Sequence, residues 1–165
     1  MDKFAVRPVV LADAESIARI YNRYIARSTI TFEMTPLETA DVEGRVRKAI
    51  ESFPWLVYER DGIIRGYAYA GAYHGRAAYR QTVEVSVYVE EGFEGRKIGS
   101  RLYEALFSIL EASDVHAIIA GIALPNPGSI ALHERFGMEK VAHFKEVGRK
   151  FDRWIDVGHW QRILS

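Results

Sequence analysis

The chain has 165 residues, 48% of them apolar, which predicts one domain over residues 1–165 with a sizeable core. Its 22 basic residues balance 22 acidic ones, so bulk charge favours neither nucleic acid nor an anionic membrane as a partner. The absence of cysteine excludes disulfides, thiolate metal sites and a cysteine nucleophile. With neither a signal-peptide apolar region nor a run of about 18 apolar residues, we expect a cytoplasmic protein.

The first half of the chain predicts two helices and three strands. Residues 4–8 form a short strand pattern, and Asp13 is placed to cap a helix whose apolar residues recur at helical spacing. A second helical pattern covers residues 37–50. Residues 55–59 and 63–69 predict two strands, joined at Asp61-Gly62 by a strong hairpin signal.

The second half also alternates strand and helix patterns. Valines at every second position from 83 to 89 predict a strand with two different faces, and Glu84 belongs to the face opposite the valines. The further elements expected are a helix at 100–112, a buried strand at 115–123, a helix from about 125 to Gly137, and strands at 141–147 and 153–160. Helices interleaved with strands predict a mixed α/β sheet.

A loop with three glycines, Gly92, Gly95 and Gly99, joins the strand of Glu84 to the next helix. Such a loop can direct backbone N–H groups and the positive end of a helix dipole at a phosphate, although glycines here are also ordinary turn residues. The loop is not a P-loop, and the dinucleotide pattern Gly-x-Gly-x-x-Gly is absent. Two common nucleotide sites are therefore excluded.

Two segments resemble the cofactor elements of the GNAT superfamily of N-acetyltransferases. The glycine loop resembles the family's Gln/Arg-x-x-Gly-x-Gly/Ala, which holds the coenzyme A pyrophosphate, and it departs from that pattern at Glu94 and Lys97. Residues 126–138 resemble the second element, Asn-x-x-Ala/Ser-x-x-Leu/Phe-Tyr-x-x-x-Gly-Phe, with His133 in place of the tyrosine. The two elements occur in the family's order.

From residue 5 to residue 163 the chain is similar to one branch, the phosphinothricin and methionine-sulfoximine N-acetyltransferases. The stretches that carry this similarity are residues 20–25, 28–32, 54–57, 68–71, 76–79, 82–89, 132–133, 154–157 and 160–161. The resemblance implies a mixed, mostly antiparallel sheet flanked by helices, with a splayed central strand pair that binds acetyl-CoA. It also implies a homodimer and no metal.

The resemblance also implies roles for individual residues. Glu84 would be the general base and His133 would assist departure of the thiolate, although a strand glutamate is more often solvated and a helix histidine more often only packs. Backbone groups of Val87 and Val89 would bind the thioester. The other expected cofactor-binding residues are Gly95, Arg96, Lys97, Gly99 and Ser100 at the pyrophosphate, and Asn126 and Ser129 at the pantetheine arm.

The expected substrates are small amino acids or analogues with an acidic or polar tetrahedral head, which arginine recognises with forked hydrogen bonds. The expected substrate-binding residues are Phe32, Arg76, Tyr79, Arg80 and Lys150. Asp152 stands where the branch often has glycine. The favoured hypothesis is direct acetyl transfer to such an amine. The alternatives are a non-catalytic acyl-CoA-binding or regulatory module, and an acetyltransferase acting on protein N-termini or lysines.

Overall fold

The structure, a computed structural model, describes residues 3–165. It contains the helices and strands that the sequence predicts, so the mixed α/β class is confirmed. Their bounds are β1 (Phe4–Pro8), α1 (Ala14–Arg27), α2 (Thr39–Ala49), β2 (Trp55–Arg60), β3 (Ile63–Ala72), β4 (Thr82–Val89), α3 (Ile98–Glu111), β5 (Ala117–Ala123), α4 (Pro127–Arg135), β6 (Glu139–Lys150) and β7 (Arg153–Ile163).

The seven strands form one sheet in the order β1-β2-β3-β4-β5-β7-β6. Strand pairs β1·β2, β2·β3, β5·β7 and β6·β7 are antiparallel, which confirms a mostly antiparallel sheet. Strands β4 and β5 are parallel, and their pairing covers Thr82–Glu84 and Ala117–Ile119. Since these are the first three residues of each strand, the pair meets at its amino end.

The chain contacts cluster into two compact units built from interleaved segments. Of the described residues, the first comprises 3–23, 37–71 and 85–113. Within it, α3 buries Ile98, Leu102 and Leu106 completely or nearly so. Gly66 of β3 lets this helix approach closely, because a Cβ there would lie 2.9 Å from Ile98 Cγ2.

The second unit comprises residues 24–36, 72–84 and 114–165. Its β5 strand buries Ile118, Ala120 and Ile122 on one face and turns Ile119 and Gly121 to the other. The β6–β7 hairpin carries register shifts at Lys140/Ala142 and at Phe144/Gly148. These bulges place β6 side chains differently from a strict alternation.

Several element bounds differ from the sequence-based prediction. Helix α3 begins at Ile98 instead of residue 100, β6 extends further at both ends, and β7 extends further at its carboxyl end. Asp13 ends a 3-10 turn instead of capping α1 directly, because its carboxylate accepts hydrogen bonds from the Val10 amide and the Arg7 guanidinium, both at 2.8 Å. Among the described helices, none is long and apolar enough to cross a bilayer.

Candidate active site

The glycine loop between β4 and α3 contains three left-handed residues. Gly92 has φ 85° and Gly95 has φ 73°, and Lys97, the residue preceding α3, has φ 63° and ψ 15°. Lys97 therefore keeps a backbone conformation that glycine adopts most readily, at a cost of about 1 kcal/mol. This explains why glycine occupies the position in the family pattern.

The carboxylate of Glu94, the other departure from that pattern, is engaged within the loop. It accepts a hydrogen bond of 2.8 Å from the Gly92 amide. The first turn of α3, which begins at Ile98, lies at the positive end of the helix dipole. The loop thus retains the features that favour an anion.

Phe93 holds the loop through two arginines that stack on its ring. The guanidinium carbons of Arg65 and Arg96 lie 4.2 Å and 4.7 Å from the ring centroid. Arg65 and Arg19 both bond to the carboxylate of Glu90, which ends the strand side of the loop. Burial opposes ionisation of Glu90, but these hydrogen bonds outweigh it and lower its pKa.

The sequence reasoning missed Phe93 and Glu90. Phe93 and Arg96 are near neighbours in the sequence, but Arg65 lies on a different element, β3. The Arg65 carbonyl oxygen accepts a 2.8 Å hydrogen bond from the Glu90 amide at the start of the loop. A tight turn rich in glycine beside an aromatic residue is the one local signal.

Asn126 and Ser129 open helix α4 in the second unit. The Asn126 side chain is the N-cap, and its Oδ1 accepts a 3.2 Å hydrogen bond from the Ser129 amide. The cap fixes the orientation of the Asn126 amide. Its side-chain NH₂ group is consequently the donor that a ligand carbonyl would meet.

His133 lies one helical turn after Ser129 and is 4% exposed. Its Nδ1 lies 2.7 Å from the Ser129 carbonyl oxygen, an acceptor, so Nδ1 carries the proton. Burial lowers the pKa of His133, and the hydrogen bond to Ser129 offsets only part of that effect. The imidazole is therefore neutral near pH 7, with Nε2 unprotonated.

Glu84 is an exposed residue of β4 whose carboxylate lies beside Gly121 of β5. A Cβ on Gly121 would be 3.8 Å from Glu84 Oε1 and 3.5 Å from Cε1 of His159. Register explains the grouping, since β7 pairs His159 with Gly121. The sequence reasoning missed His159, because its neighbourhood depends on that register.

Two of the expected substrate residues come together in the second unit. The Lys150 ammonium is 2% exposed and donates a 2.9 Å hydrogen bond to the Thr31 carbonyl oxygen. The neighbouring Phe32 ring covers Gly148, where a Cβ would lie 2.5 Å from Phe32 Cζ. Burial lowers the pKa of Lys150.

The other three expected substrate residues surround the 3-10 turn Ala77–Tyr79, and all are exposed. Arg76 precedes the turn and Arg80 follows it, whereas the Tyr79 ring contacts Tyr73 and His74 at centroid distances of 5.7 Å and 5.0 Å. The tyrosine is thus anchored. Arg76 and Arg80 flank the turn on either side, and both are exposed.

Asp152 occupies the tip of the β6–β7 hairpin with φ 58°, which explains why glycine is common at the equivalent place in the branch. Its carboxylate lies 3.5 Å from the Arg149 guanidinium. This exposed pair is too weak to reshape the hairpin by itself. The replacement changes charge at the tip more than backbone.

Residues 6–159 match the family model described as "Acetyltransferase (GNAT) domain". The chain belongs to the GNAT acetyltransferase family. It is 39% identical to a phosphinothricin N-acetyltransferase of Streptomyces coelicolor, over 96% of this chain and 95% of that protein. It is 33% identical to an L-methionine sulfoximine/L-methionine sulfone acetyltransferase of Pseudomonas paraeruginosa, over 98% and 95%.

A solved GNAT phosphinothricin acetyltransferase from Sinorhizobium meliloti, in complex with acetyl-CoA, has the same fold. Its TM-score is 0.95 at 35% identity, covering 98% of this chain and 89% of that one. The GNAT resemblance inferred from sequence is thereby confirmed, together with the branch. Within residues 3–165 no group of three His, Cys, Asp or Glu side chains is placed to hold a metal ion.

Proposed function

We propose that this GNAT protein transfers acetyl from acetyl-CoA to the amino group of a small amino acid or analogue of the phosphinothricin or methionine sulfoximine type. The observation that carries the proposal is the backbone of the loop at Gly95 and Lys97. Lys97 replaces the glycine of the family pattern, and it has the left-handed conformation that glycine favours. The full-length similarity to enzymes named for these substrates supports the substrate class.

The residues present fit acetyl-CoA. The loop supplies cations and a helix N-terminus to the pyrophosphate, and the Glu94 carboxylate is already bonded to the Gly92 amide. Acetyl-CoA would supply an activated acyl carbon in its thioester. The residues proposed to hold it are Gly95, Arg96, Lys97, Gly99 and Ser100 at the phosphates, Asn126 and Ser129 at the pantetheine arm, and the backbones of Val87 and Val89 at the thioester.

Amine acetylation requires a neutral nitrogen, so Glu84 is proposed to accept the ammonium proton, directly or through water. His159 lies on the same side of Gly121 and extends the polar surface around that carboxylate. His133 is proposed to assist departure of the thiolate, to which it donates a proton only when the imidazole is itself protonated. The nitrogen then attacks the acyl carbon without a covalent enzyme intermediate.

The substrate end is proposed to recognise a carboxylate and an anionic or polar head. Lys150 is a buried cation, and its surroundings strengthen an electrostatic contact with an anion. Phe32 supplies the apolar wall beside it. Arg76, Tyr79 and Arg80 are proposed to contact the head group, for which forked guanidinium hydrogen bonds are well suited.

The test is thiol release from acetyl-CoA over methionine sulfoximine, methionine sulfone, phosphinothricin, common amino acids and peptides with free N-termini or lysines. Glu84→Gln should lower kcat on the accepted amine by about 10²–10⁴. Glu104→Gln, the same change on the exposed side of α3, is the matched control. Unchanged turnover in Glu84→Gln would refute the base, and turnover of peptides alone would favour the protein acetyltransferase alternative.

Coenzyme binding without turnover of any amine would instead favour the non-catalytic module. Calorimetry with CoA separates this outcome from loss of the cofactor site. The left-handed backbone of Lys97 and the hydrogen bond from the Gly92 amide to Glu94 both favour the catalytic proposal. Binding and turnover are therefore measured on the same preparation.

The oligomer proposed is a homodimer. Apolar side chains are exposed near the tip of the β6–β7 hairpin, namely Val147, Phe151 and Trp154, the last 61% exposed. A second copy of the chain would cover them. Light scattering should give twice the 18.8 kDa chain mass, and Trp154→Lys should halve it.

The remaining proposals concern the chain as a whole. A cytoplasmic location is proposed because acetyl-CoA is made and consumed inside cells, and fractionation would test it. One domain over residues 1–165 is proposed because β4 begins in one contact unit and ends in the other. A single urea transition that coincides by fluorescence and circular dichroism would support it, and two separate transitions would refute it.

A further inference from the structure

Three titratable side chains form a hydrogen-bonded chain on the β6–β7 hairpin. Lys140 Nζ lies 2.9 Å from His143 Nδ1, and His143 Nε2 lies 2.7 Å from Asp156 Oδ2. The register explains their common face, since Lys140 pairs with Trp160 and His143 with Gly158, four and two residues from Asp156 along β7. The first bulge of β6 falls between the lysine and the histidine.

Asp156 is fixed more firmly than an ordinary surface carboxylate. Its second oxygen accepts a 2.8 Å hydrogen bond from the Glu146 amide, in the other bulge of β6. Hydrogen bonds from His143 and Glu146 hold the pKa of Asp156 below its ordinary value, and the Lys145 charge adds to the effect. Asp156 is therefore a carboxylate over the physiological range.

An amine within reach of a histidine that is oriented by a carboxylate has the arrangement of an activated nucleophile. When Nε2–H of His143 donates to Asp156, the lone pair on Nδ1 faces the Lys140 ammonium and can accept its proton. The carboxylate stabilises the imidazolium that forms.

We propose that Lys140 is an acylation site of this protein, which accepts an acetyl group from a thioester such as acetyl-CoA. One ammonium proton passes to His143 Nδ1, and the neutral Nζ attacks the acyl carbon. The N–C bond forms and the C–S bond breaks. The second amine proton goes to the leaving thiolate and His143 returns its proton to water, so the products are acetyl-lysine, free thiol and one proton.

This inference does not depend on the proposed function, because it uses neither Glu84 nor His133. Lys140 is exposed, and it lies at the opposite end of β6 from the hairpin tip. Acetylation would remove its charge, and with it the hydrogen bond to His143 and the contact with the Trp160 ring at 5.5 Å. The modification would therefore remove side-chain contacts at the open end of the β6–β7 hairpin.

The experiment incubates the full-length protein with acetyl-CoA at pH 8 and follows each lysine by peptide mass spectrometry. Lys145, exposed on the same strand, is the internal comparator. We expect Lys140 to be acetylated about tenfold faster than Lys145, and His143→Gln to reduce it to the Lys145 rate. Asp156→Asn should act in the same direction.

Controls separate activation from other causes. Lys140 acetylation should persist in Glu84→Gln and with a short acetyl thioester that lacks the nucleotide, since neither change touches the hairpin. Equal rates at Lys140 and Lys145, or an undiminished Lys140 rate in His143→Gln, would overturn the proposal. If Asp156→Asn disturbs the hairpin by circular dichroism, the His143→Gln comparison decides the outcome.

Discussion

His133 Nδ1 donates a hydrogen bond of 2.7 Å to the carbonyl oxygen of Ser129, four residues earlier in the same helix. This bond fixes the tautomer, and burial of the ring lowers the pKa of the imidazole below its ordinary value. A tyrosine at this place would present a hydroxyl proton at neutral pH. His133 instead presents an unprotonated nitrogen near pH 7, so it has no proton to offer a thiolate unless the ring is protonated.

The first prediction concerns stability at low pH. Because the pKa of His133 is lower in the folded state than unfolded, the unfolded chain binds more protons below about pH 6.5, and stability falls as pH decreases. Urea unfolding between pH 7.5 and 5 should show this loss. His133→Phe should flatten that part of the profile, whereas His116→Phe, an exposed control, should not. Equal slopes in all three proteins would contradict the prediction.

The second prediction separates strain from charge at Lys97. Lys97→Gly relieves the left-handed backbone and should stabilise the protein by about 1 kcal/mol. Lys97→Gln keeps the strain and removes the charge, so it should weaken CoA binding with little change in stability. Thermal unfolding and calorimetry measure the two effects. Stabilisation by glutamine equal to that by glycine would show that charge, not backbone, dominates.

The helices and strands were predicted well from the sequence because local signals specify them. The Asp61-Gly62 turn, the alternating valines of β4 and the Asn126 cap are all readable from neighbouring residues. Residues that act through register were missed. His159 reaches Gly121 only through the β5–β7 pairing, and Arg65 reaches Phe93 only through the fold.

The structure shows how the two departures from the family pattern are accommodated in the loop. Glu94 places a negative charge near the proposed pyrophosphate site, and its carboxylate accepts a hydrogen bond from the Gly92 amide. Lys97 predicts an altered loop, but it adopts the glycine conformation. The hydrogen-bond partner of Glu94 and the backbone angles of Lys97 depend on the folded loop, and neither can be obtained from residue identity.

The third prediction uses Gly121 as a steric probe of Glu84, the proposed general base. In Gly121→Ala the new methyl would lie 3.8 Å from Glu84 Oε1 and 3.5 Å from His159 Cε1, both ordinary contacts. The fold should be unaffected, but the methyl would contact both the Glu84 carboxylate and the His159 imidazole. We expect kcat to fall about tenfold with unchanged urea unfolding. Gly44→Ala, in α2 with no heavy atom within 4 Å, should keep full activity.

The fourth prediction concerns Gly148, over which the Phe32 ring lies. In Gly148→Ala the Cβ would lie 2.5 Å from Phe32 Cζ, so the ring must move. Phe32 is 41% exposed, so the ring can move toward solvent, and we expect a stability loss of only about 1 kcal/mol. If Phe32 forms a wall of the amine site, KM for the amine should rise severalfold while KM for acetyl-CoA stays constant.

A matched variant makes the test of Phe32 decisive. Phe32→Ala removes the ring without touching Gly148, and it should raise the amine KM by a similar factor. Combining the two substitutions should then add little, because both act on one ring. Additive effects on KM, or a changed acetyl-CoA KM in Gly148→Ala alone, would contradict this prediction. Either result would show that the Gly148→Ala methyl acts by shifting the β6 backbone and not by moving the Phe32 ring.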